Sequence, residues 1–177
     1  AKMAYSLFAL LVTILAFTTC CAQTACGEDM ADIIFLLDST SSESLIDFEN
    51  QLQFVKGFTQ GFTIGKDHVQ IGVVTFSTHP HNAFHLKDHL YKPALLNAID
   101  NVPYISGFTF TDEALKYVRE NAFLPAYGGR TGVSQIVVVL TDGTSVSTRD
   151  TAKEAILLHA AGIKVISIGI GSSIGHT

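Results

Sequence analysis

Short apolar runs alternate with segments of helical periodicity through most of this chain. Continuous runs such as 33–37 and 136–140 predict strands that are covered on both faces. Between such runs, apolar residues recur at helical spacing, as in the series Leu45, Phe48, Leu52, Val55 and Phe58. Strands separated by helices predict a doubly wound α/β fold, with a mainly parallel sheet and helices on both faces.

The same criteria place the remaining elements of this fold. Further strands are predicted at 69–76 and 163–170, and further helices near 93–99, 112–124 and 151–161. The alternating segment 81–86 beside Pro80 is predicted to be an antiparallel strand at the sheet edge, because proline cannot donate to a central ladder. One more helix normally closes the outer face of such a sheet, so we expect the last helix to be missing from this chain.

The N-terminus has the features of an export signal. Lys2 precedes an apolar stretch at 4–17, and small residues follow up to Ala22. This pattern predicts a signal peptide at 1–22, a short linker at 23–30, and one domain, truncated at its C-terminal end, at 31–177. A buried N-terminal helix is the alternative, but the basic start and the small residues favour export.

Charge and hydropathy exclude two classes of partner. The chain has 16 acidic and 11 basic residues and no cluster of Lys and Arg. Nucleic-acid binding requires a basic surface that neutralises phosphates, so we expect no nucleic-acid partner. The N-terminal apolar stretch is shorter than the ~20 residues of a membrane span, and no second such stretch occurs, so we expect no membrane span.

Oxygen-bearing side chains follow two of the predicted strands. Asp38, Thr40 and Ser42 alternate after the first strand, Thr109 precedes a predicted helix, and Asp142 follows another strand. Ligands in such sheets bind at the carboxyl ends of the strands, so we expect these side chains to converge. A set with only oxygen ligands suits Mg²⁺, or else Mn²⁺ or Ca²⁺, rather than Zn²⁺.

Each of these residues also has an ordinary structural interpretation. The series Asp38, Thr40 and Ser42 could cap the next helix, and Thr109 could cap the helix that follows it. Asp142 with the next glycine could form a turn. Their joint occurrence at one edge of the sheet favours the metal site, because function concentrates in that crevice.

This pattern resembles the metal-ion-dependent adhesion site of the von Willebrand factor type A domain. The family's motif is Asp-x-Ser-x-Ser, a distant Thr and a distant Asp. Here the motif corresponds to Asp38-Ser39-Thr40-Ser41-Ser42, Thr109 and Asp142. Further similar segments follow in the family's order, at 71–77, 109–115, 140–143 and 165–171.

The resemblance implies a role for each site residue. Thr40 and Ser42 would bind the ion directly, whereas Asp38 and Asp142 would act mostly through water. Thr109 would join directly in the high-affinity state. The sixth ligand would then be a carboxylate from a partner protein.

Two positions depart from the family's pattern. Thr40 stands where serine is usual, which keeps the hydroxyl and adds a methyl group beside the ion. Asp112 stands where glycine is often found, which adds a negative charge near the site.

The resemblance also implies a function and a location. It predicts a secreted, non-enzymatic adhesion module, similar to those of matrilins and type VI collagen. Its partner would present an exposed Asp or Glu, and collagen, another matrix protein and a second copy of this chain stay equally open. In matrix members a cysteine near the domain start pairs with one just after its end, so Cys26 would pair with a cysteine beyond residue 177. Two alternatives stay open: a non-catalytic domain of a larger secreted enzyme such as a complement-type protease, and a metal-free structural domain.

Four histidines offer a competing site. His79, His81, His85 and His89 lie within eleven positions and carry nitrogen ligands suited to Zn²⁺ or Cu²⁺. Because Pro80 interrupts the predicted strand, we favour a solvated edge strand over a metal site. No P-loop spacing occurs, so the sequence does not predict a phosphate-binding loop.

Overall fold

The protein, described here by a computed structural model for residues 30–41, 44–142 and 145–170, contains one five-stranded sheet of order β3-β2-β1-β4-β5. The strands are β1 (Ala31–Asp38), β2 (Val69–Phe76), β3 (Pro80–Phe84), β4 (Ser134–Thr141) and β5 (Lys164–Gly169). β1 pairs in parallel with β2 and β4, and β4 pairs in parallel with β5. β3 is antiparallel to β2 at the edge, so the predicted mixed sheet is confirmed.

Helices cover both faces of this sheet. They are α1 (Leu45–Gln60), α2 (Lys92–Asp100), α3 (Thr111–Tyr117) and α4 (Thr148–Ala160). One core lies between the sheet and α1 with α2, and the other between the sheet and α3 with α4. The predicted doubly wound architecture is therefore confirmed.

The central strand β1 contributes to both cores. Phe35 and Leu37 belong to the core under α1, whereas Ile34 and Leu36 belong to the core under α3. Side chains alternate between the faces of a strand, so a strand buried on both faces must be apolar at nearly every position. This requirement explains the continuous apolar run in the sequence.

The predicted helix at 112–124 is not one regular α-helix. α3 ends at Tyr117, a π-helical turn follows at Val118–Ala122, and a 3₁₀ turn follows at Pro125–Tyr127. Leu124, which precedes the proline, has an extended ψ of 143°, as expected for a residue whose helical conformation the proline ring disfavours. Proline therefore ends the helical segment close to the predicted position.

β5 is more exposed than its apolar sequence predicts. Ile166 has 49% of its surface exposed, and Val165 is also exposed. β5 is the last strand in the sheet order and pairs with β4.

Several predictions lie outside the described residues. They concern the signal peptide at 1–22, the linker with Cys26, the metal ligand Ser42 and the segment 171–177. Across the described ranges, no helix combines the length and the apolar character that crossing a membrane requires.

Candidate metal centre

The two candidate carboxylates lie at the same edge of the sheet. Asp38 is the last residue of β1, and Asp142 directly follows β4. β1 and β4 are parallel neighbours, with Leu37 opposite Leu140. The topology therefore brings both acids to the carboxyl edge, where the sequence analysis expected them.

Asp38 is fully buried and held by hydrogen bonds. Its Oδ1 accepts from the backbone N–H of Thr40 at 3.0 Å, and its Oδ2 accepts from Thr141 Oγ1 at 2.8 Å. The side-chain amide of Gln51, on α1, donates to the main-chain oxygen of Asp38 at 2.8 Å. Both the carboxylate and the backbone of this residue are thus fixed in orientation.

The electrostatic environment of Asp38 is unfavourable to its negative charge. Burial raises the pKa of Asp38, hydrogen bonds from Thr40 and Thr141 oppose that rise, and the negative charge of Asp142 adds to it; the net direction is upward. Among the described residues, no Lys or Arg forms an ion pair with Asp38. A buried carboxylate beside a second carboxylate is stabilised by a bound cation.

Hydrogen bonds fasten the segment after β1 to the loop before α3. The main-chain oxygen of Thr40, which is itself buried, accepts from the hydroxyl of Tyr104 at 3.1 Å. The backbone N–H of Ser41 donates to Gly107 O at 2.9 Å. Ser39 Oγ lies 2.9 Å from the main-chain oxygen of Ile105. The position of Thr40 therefore depends on residues more than sixty positions further along the chain.

Thr109 is half-buried and lies in this same loop before α3. Its main-chain oxygen accepts from the N–H of Val146, in the loop after β4, at 3.1 Å. A Cβ at Gly107 would lie 2.6 Å from Thr78 Oγ1, so only glycine permits this close approach. The three loops that carry the candidate ligands are thus directly connected.

The capping alternative is wrong for the residues that can be tested. α1 is capped by Ser44, whose hydroxyl accepts from the N–H of Asp47 at 3.1 Å. α3 has Phe110 at its N-cap position and no side-chain cap, so Thr109 does not cap it. Neither Asp38 nor Thr40 occupies a cap position.

The described donor set fits a hard divalent cation. Asp38, Thr40, Thr109 and Asp142 offer only oxygen atoms, which suit Mg²⁺, Mn²⁺ or Ca²⁺. In addition, Oδ1 of Asp112, three residues after Thr109, is buried without a hydrogen-bond partner among the described residues. An orphaned acidic oxygen in this region adds to the negative charge that a cation would offset.

The sequence analysis missed the residues that orient Asp38. Thr141 could have been found, because it precedes Asp142 and the parallel register of β1 and β4 places it beside Asp38. Gln51 and Tyr104 have no such local signal, since their partners are 13 and 64 positions away.

The histidines do not form a competing metal site. His79 Nδ1 lies 3.5 Å from a carboxylate oxygen of Glu113, and the ring of His85 stacks on Tyr127 at 4.0 Å. In the part of the chain that the structure describes, no three His, Cys, Asp or Glu side chains are grouped so as to hold a metal ion. The preferred interpretation of a polar edge strand therefore stands.

Comparison with known proteins gives matches over most of the chain. The family model for the von Willebrand factor type A domain matches residues 32–176. The mouse collagen alpha-4(VI) chain is 39% identical over 150 residues, and human matrilin-1 is 30% identical over 151 residues. These alignments cover 82% and 83% of this chain, but only 6% and 30% of the relatives. Collagens and matrilins are extracellular matrix proteins, which confirms the predicted extracellular location.

Solved structures match as well. Proximal thread matrix protein 1 from the mussel byssus has a TM-score of 0.75 and 34% identity, over 81% of this chain and 38% of its own, and one of its structures has a zinc-occupied MIDAS motif. The manganese-loaded TRAP protein of Plasmodium vivax has a TM-score of 0.74 over 85% of this chain and 61% of its own. Its identity is 20%, so it supports the fold alone.

Proposed function

Because this chain belongs to the von Willebrand factor type A domain family, we propose that it is an adhesion module that binds a partner's carboxylate through a divalent cation. The observation that carries the proposal is the buried Asp38 carboxylate, which faces a second carboxylate and has no ion pair with Lys or Arg in the described ranges. Family membership confirms the resemblance found in the sequence.

Five residues form the proposed cation site. The hydroxyls of Thr40 and Ser42 bind directly, and Thr109 joins them in the high-affinity state. Asp38 and Asp142 act mostly through water, held in place by contacts such as that of Thr141 with Asp38. With neutral direct ligands, a bound divalent cation keeps positive charge and a coordination position for an external carboxylate.

We propose Mg²⁺ as the ion, with Mn²⁺ or Ca²⁺ as substitutes. The zinc-occupied motif of the mussel byssus protein supports binding of a divalent cation in this family. The oxygen-only donor set supports the harder ions, because zinc is usually held by nitrogen and sulfur ligands.

The proposed partner is a protein with an exposed Asp or Glu, such as collagen or another matrix protein. Similarity to collagen chains and a matrilin supports a role in matrix assembly or cell–matrix adhesion without catalysis. It gives no support to the alternative of a domain from a complement-type protease. The signal peptide at 1–22, the linker at 23–30, the domain at 31–177 and the disulfide from Cys26 belong to the same proposal.

Calorimetric titration of the secreted protein with Mg²⁺ tests the proposal. We expect saturable binding heat for the wild type and its loss in Asp38→Asn, which keeps the side-chain shape and removes the charge. Asp67→Asn is the matched control, since Asp67 is exposed and precedes β2 at the opposite edge of the sheet. Absence of binding heat in the folded wild type would contradict the proposal.

A further inference from the structure

A cavity of about 620 Å³ opens at the edge where the parallel strands begin, opposite the proposed cation site. Residues that precede three strands line it: Met30 precedes β1, Lys66 and Asp67 precede β2, and Thr131 precedes β4. We call the space between these residues and Gln70 the basal cavity. Its volume lies within the range of about 300–1,000 Å³ that is typical of ligand sites in proteins.

Close backbone contacts form one wall of the basal cavity. Gly128 has a φ of 99°, and a Cβ at this position would lie 2.7 Å from the backbone nitrogen of Lys87, so only glycine fits. The backbone N–H of Lys87 donates to the main-chain oxygen of Tyr127 at 3.3 Å, and its ammonium group donates to that of Ala126. These contacts join the segment after β3 to the segment before β4 and hold the wall in place.

Gln70, on β2, is the buried polar side chain of the basal cavity. It is 4% exposed, and its Oε1 is buried without a hydrogen-bond partner among the described residues. Asp32 lies opposite Gln70 in the register of β1 with β2, but its carboxylate accepts from Arg130 instead. An unsatisfied buried acceptor lowers stability. Since a half-turn of the carboxamide exchanges its oxygen and its nitrogen, Gln70 can offer either an acceptor or a donor to a ligand.

The charge around the basal cavity favours a negative ligand. Lys66 and Lys87 are exposed, and within the described ranges neither forms an ion pair. Arg130 is already paired with Asp32, and Asp67 is the one acid among the lining residues. The two lysines therefore give an excess of positive charge in a chain whose net charge is −5.

Apolar side chains complete the wall, and the cavity is open to solvent. Leu90, Pro125 and Val133 line it, and Met30 at its margin is 45% exposed. Sites for free small molecules bury most of the ligand surface. An open cavity with exposed walls instead suits one or two side chains of a protein segment.

We infer that the basal cavity is a second protein-binding site, which takes a tyrosine next to an acidic residue. The ring packs against the apolar wall, and the carboxylate lies between Lys66 and Lys87. The hydroxyl, which both donates and accepts, forms a hydrogen bond with the carboxamide of Gln70. This site requires no cation and lies at the far edge of the sheet, so it goes beyond the proposed function and lets one domain hold two partners.

Three blocked peptides in metal-free buffer test this inference on the whole chain. The first is acetyl-Gly-Asp-Tyr-Gly-amide, and the others replace its Tyr by Phe or its Asp by Asn. In an NMR titration we expect the first peptide to shift the backbone amides of 66–70 and 128–131 saturably, and those of 38–41 not at all. Loss of either the hydroxyl or the charge should weaken binding by about tenfold. Equal binding of the three peptides, no binding, or shifts elsewhere would overturn the inference.

Variants of the basal cavity make the test specific. Gln70→Met keeps the length of the side chain and removes the carboxamide, so it should weaken binding of the tyrosine peptide by about tenfold. It should also raise the urea midpoint of unfolding, because the orphaned acceptor is gone; a glutamine needed only by the fold would give a lower midpoint and unchanged binding.

Lys66→Gln tests the charge without changing a buried residue. We expect it to weaken binding of the tyrosine peptide and to leave binding of the Asn peptide unchanged. Lys153→Gln is the matched control, since Lys153 is also an exposed lysine but lies on α4. An equal effect of the two substitutions would contradict the inference.

The outcomes separate this inference from the proposed function. The peptides are titrated without Mg²⁺, so a failure of Mg²⁺ binding leaves the basal site standing. Failure of the peptide titration overturns the basal site and leaves the proposed cation site standing.

Discussion

Two buried aspartates on β1 lie in opposite electrostatic environments. Asp32 and Asp38 are both 0% exposed and, six positions apart, point to the same face of the strand. Asp32 accepts from the backbone N–H of Arg130 at 2.7 Å and from its Nε at 2.8 Å. Asp38 has hydroxyl donors and a neighbouring carboxylate instead. The compensating group, rather than burial, separates a structural acid from a candidate metal ligand.

Arg130 also ties together the edge of the sheet at which the parallel strands begin. Its guanidinium donates to the main-chain oxygens of Ala31, Lys66 and His68 at 2.7–2.9 Å. The charge of Asp32 is therefore compensated within the fold, whereas Asp38 forms no ion pair with Lys or Arg among the described residues.

The largest expected effect comes from breaking the internal pair. Arg130→Ala leaves Asp32 buried without its cation, and we expect a loss of about 3–5 kcal/mol in the free energy of unfolding. Urea denaturation measures it. Mg²⁺ affinity of the folded fraction should not change, because Arg130 lies at the opposite edge. A loss below about 1 kcal/mol would contradict the structural role assigned to Asp32.

Next in size is the stabilisation that Mg²⁺ gives. At about one hundred times its dissociation constant, Mg²⁺ should raise the free energy of unfolding by about 2.7 kcal/mol. Asp38→Asn should remove most of this gain, whereas Asp67→Asn, at an exposed site, should keep it. Thermal unfolding with and without Mg²⁺ compares the three proteins.

Without Mg²⁺, the substitution Asp38→Asn should not lower the free energy of unfolding. The pKa of Asp38 is raised by folding above its ordinary value of 3.8, so its contribution to stability is present at low pH and is lost as pH rises through the folded pKa. Asp38→Asn should therefore be at least as stable as the metal-free wild type at pH 7. Clear destabilisation in a urea titration would contradict this.

A smaller effect is expected at the residue that orients Asp38. Thr141→Val removes the 2.8 Å hydrogen bond to Oδ2, and we expect about tenfold weaker Mg²⁺ binding by calorimetry. Thr59→Val is the control, because the Thr59 hydroxyl bonds to Val55 O within α1. Equal Mg²⁺ affinity of both variants and the wild type would show that Thr141 has no positioning role.

The smallest effect is expected for an exposed ion pair. Lys56 Nζ lies 2.7 Å from Asp100 Oδ1 near the surface. Lys56→Ala should change the free energy of unfolding by no more than about 1 kcal/mol, since solvent screens the pair. If its effect in urea denaturation matched that of Arg130→Ala, the contrast between buried and exposed pairs would fail.

Local sequence patterns predicted the positions of the strands and helices better than they predicted the contacts between them. β2 was predicted at 69–76 and forms at Val69–Phe76, because an apolar run bounded by turn residues leaves little choice. Of the site, the motif supplied all five candidate ligands, and the four described ones lie at the carboxyl edge or in the loops joined to it. The contacts of Gln51 with Asp38 and of Tyr104 with Thr40 were not predictable, because they form only in the folded chain, across 13 and 64 positions.

The pairing of Asp32 with Arg130 could not be predicted from the sequence either, since 98 positions separate the two residues. The cap of α1 was missed for another reason. Several Ser and Thr residues precede this helix, and only the three-dimensional path of the chain selects Ser44. Tertiary structure decides between equivalent local candidates.

The course of β1 has a mechanical consequence. The strand runs from the edge where the chain enters the domain to the edge of the proposed cation site, a length of about 26 Å. It is hydrogen-bonded on both sides, to β2 and to β4. Tension between the N-terminal segment and a partner held at Asp38 would act along this strand, so its hydrogen bonds would be sheared together instead of being opened one after another.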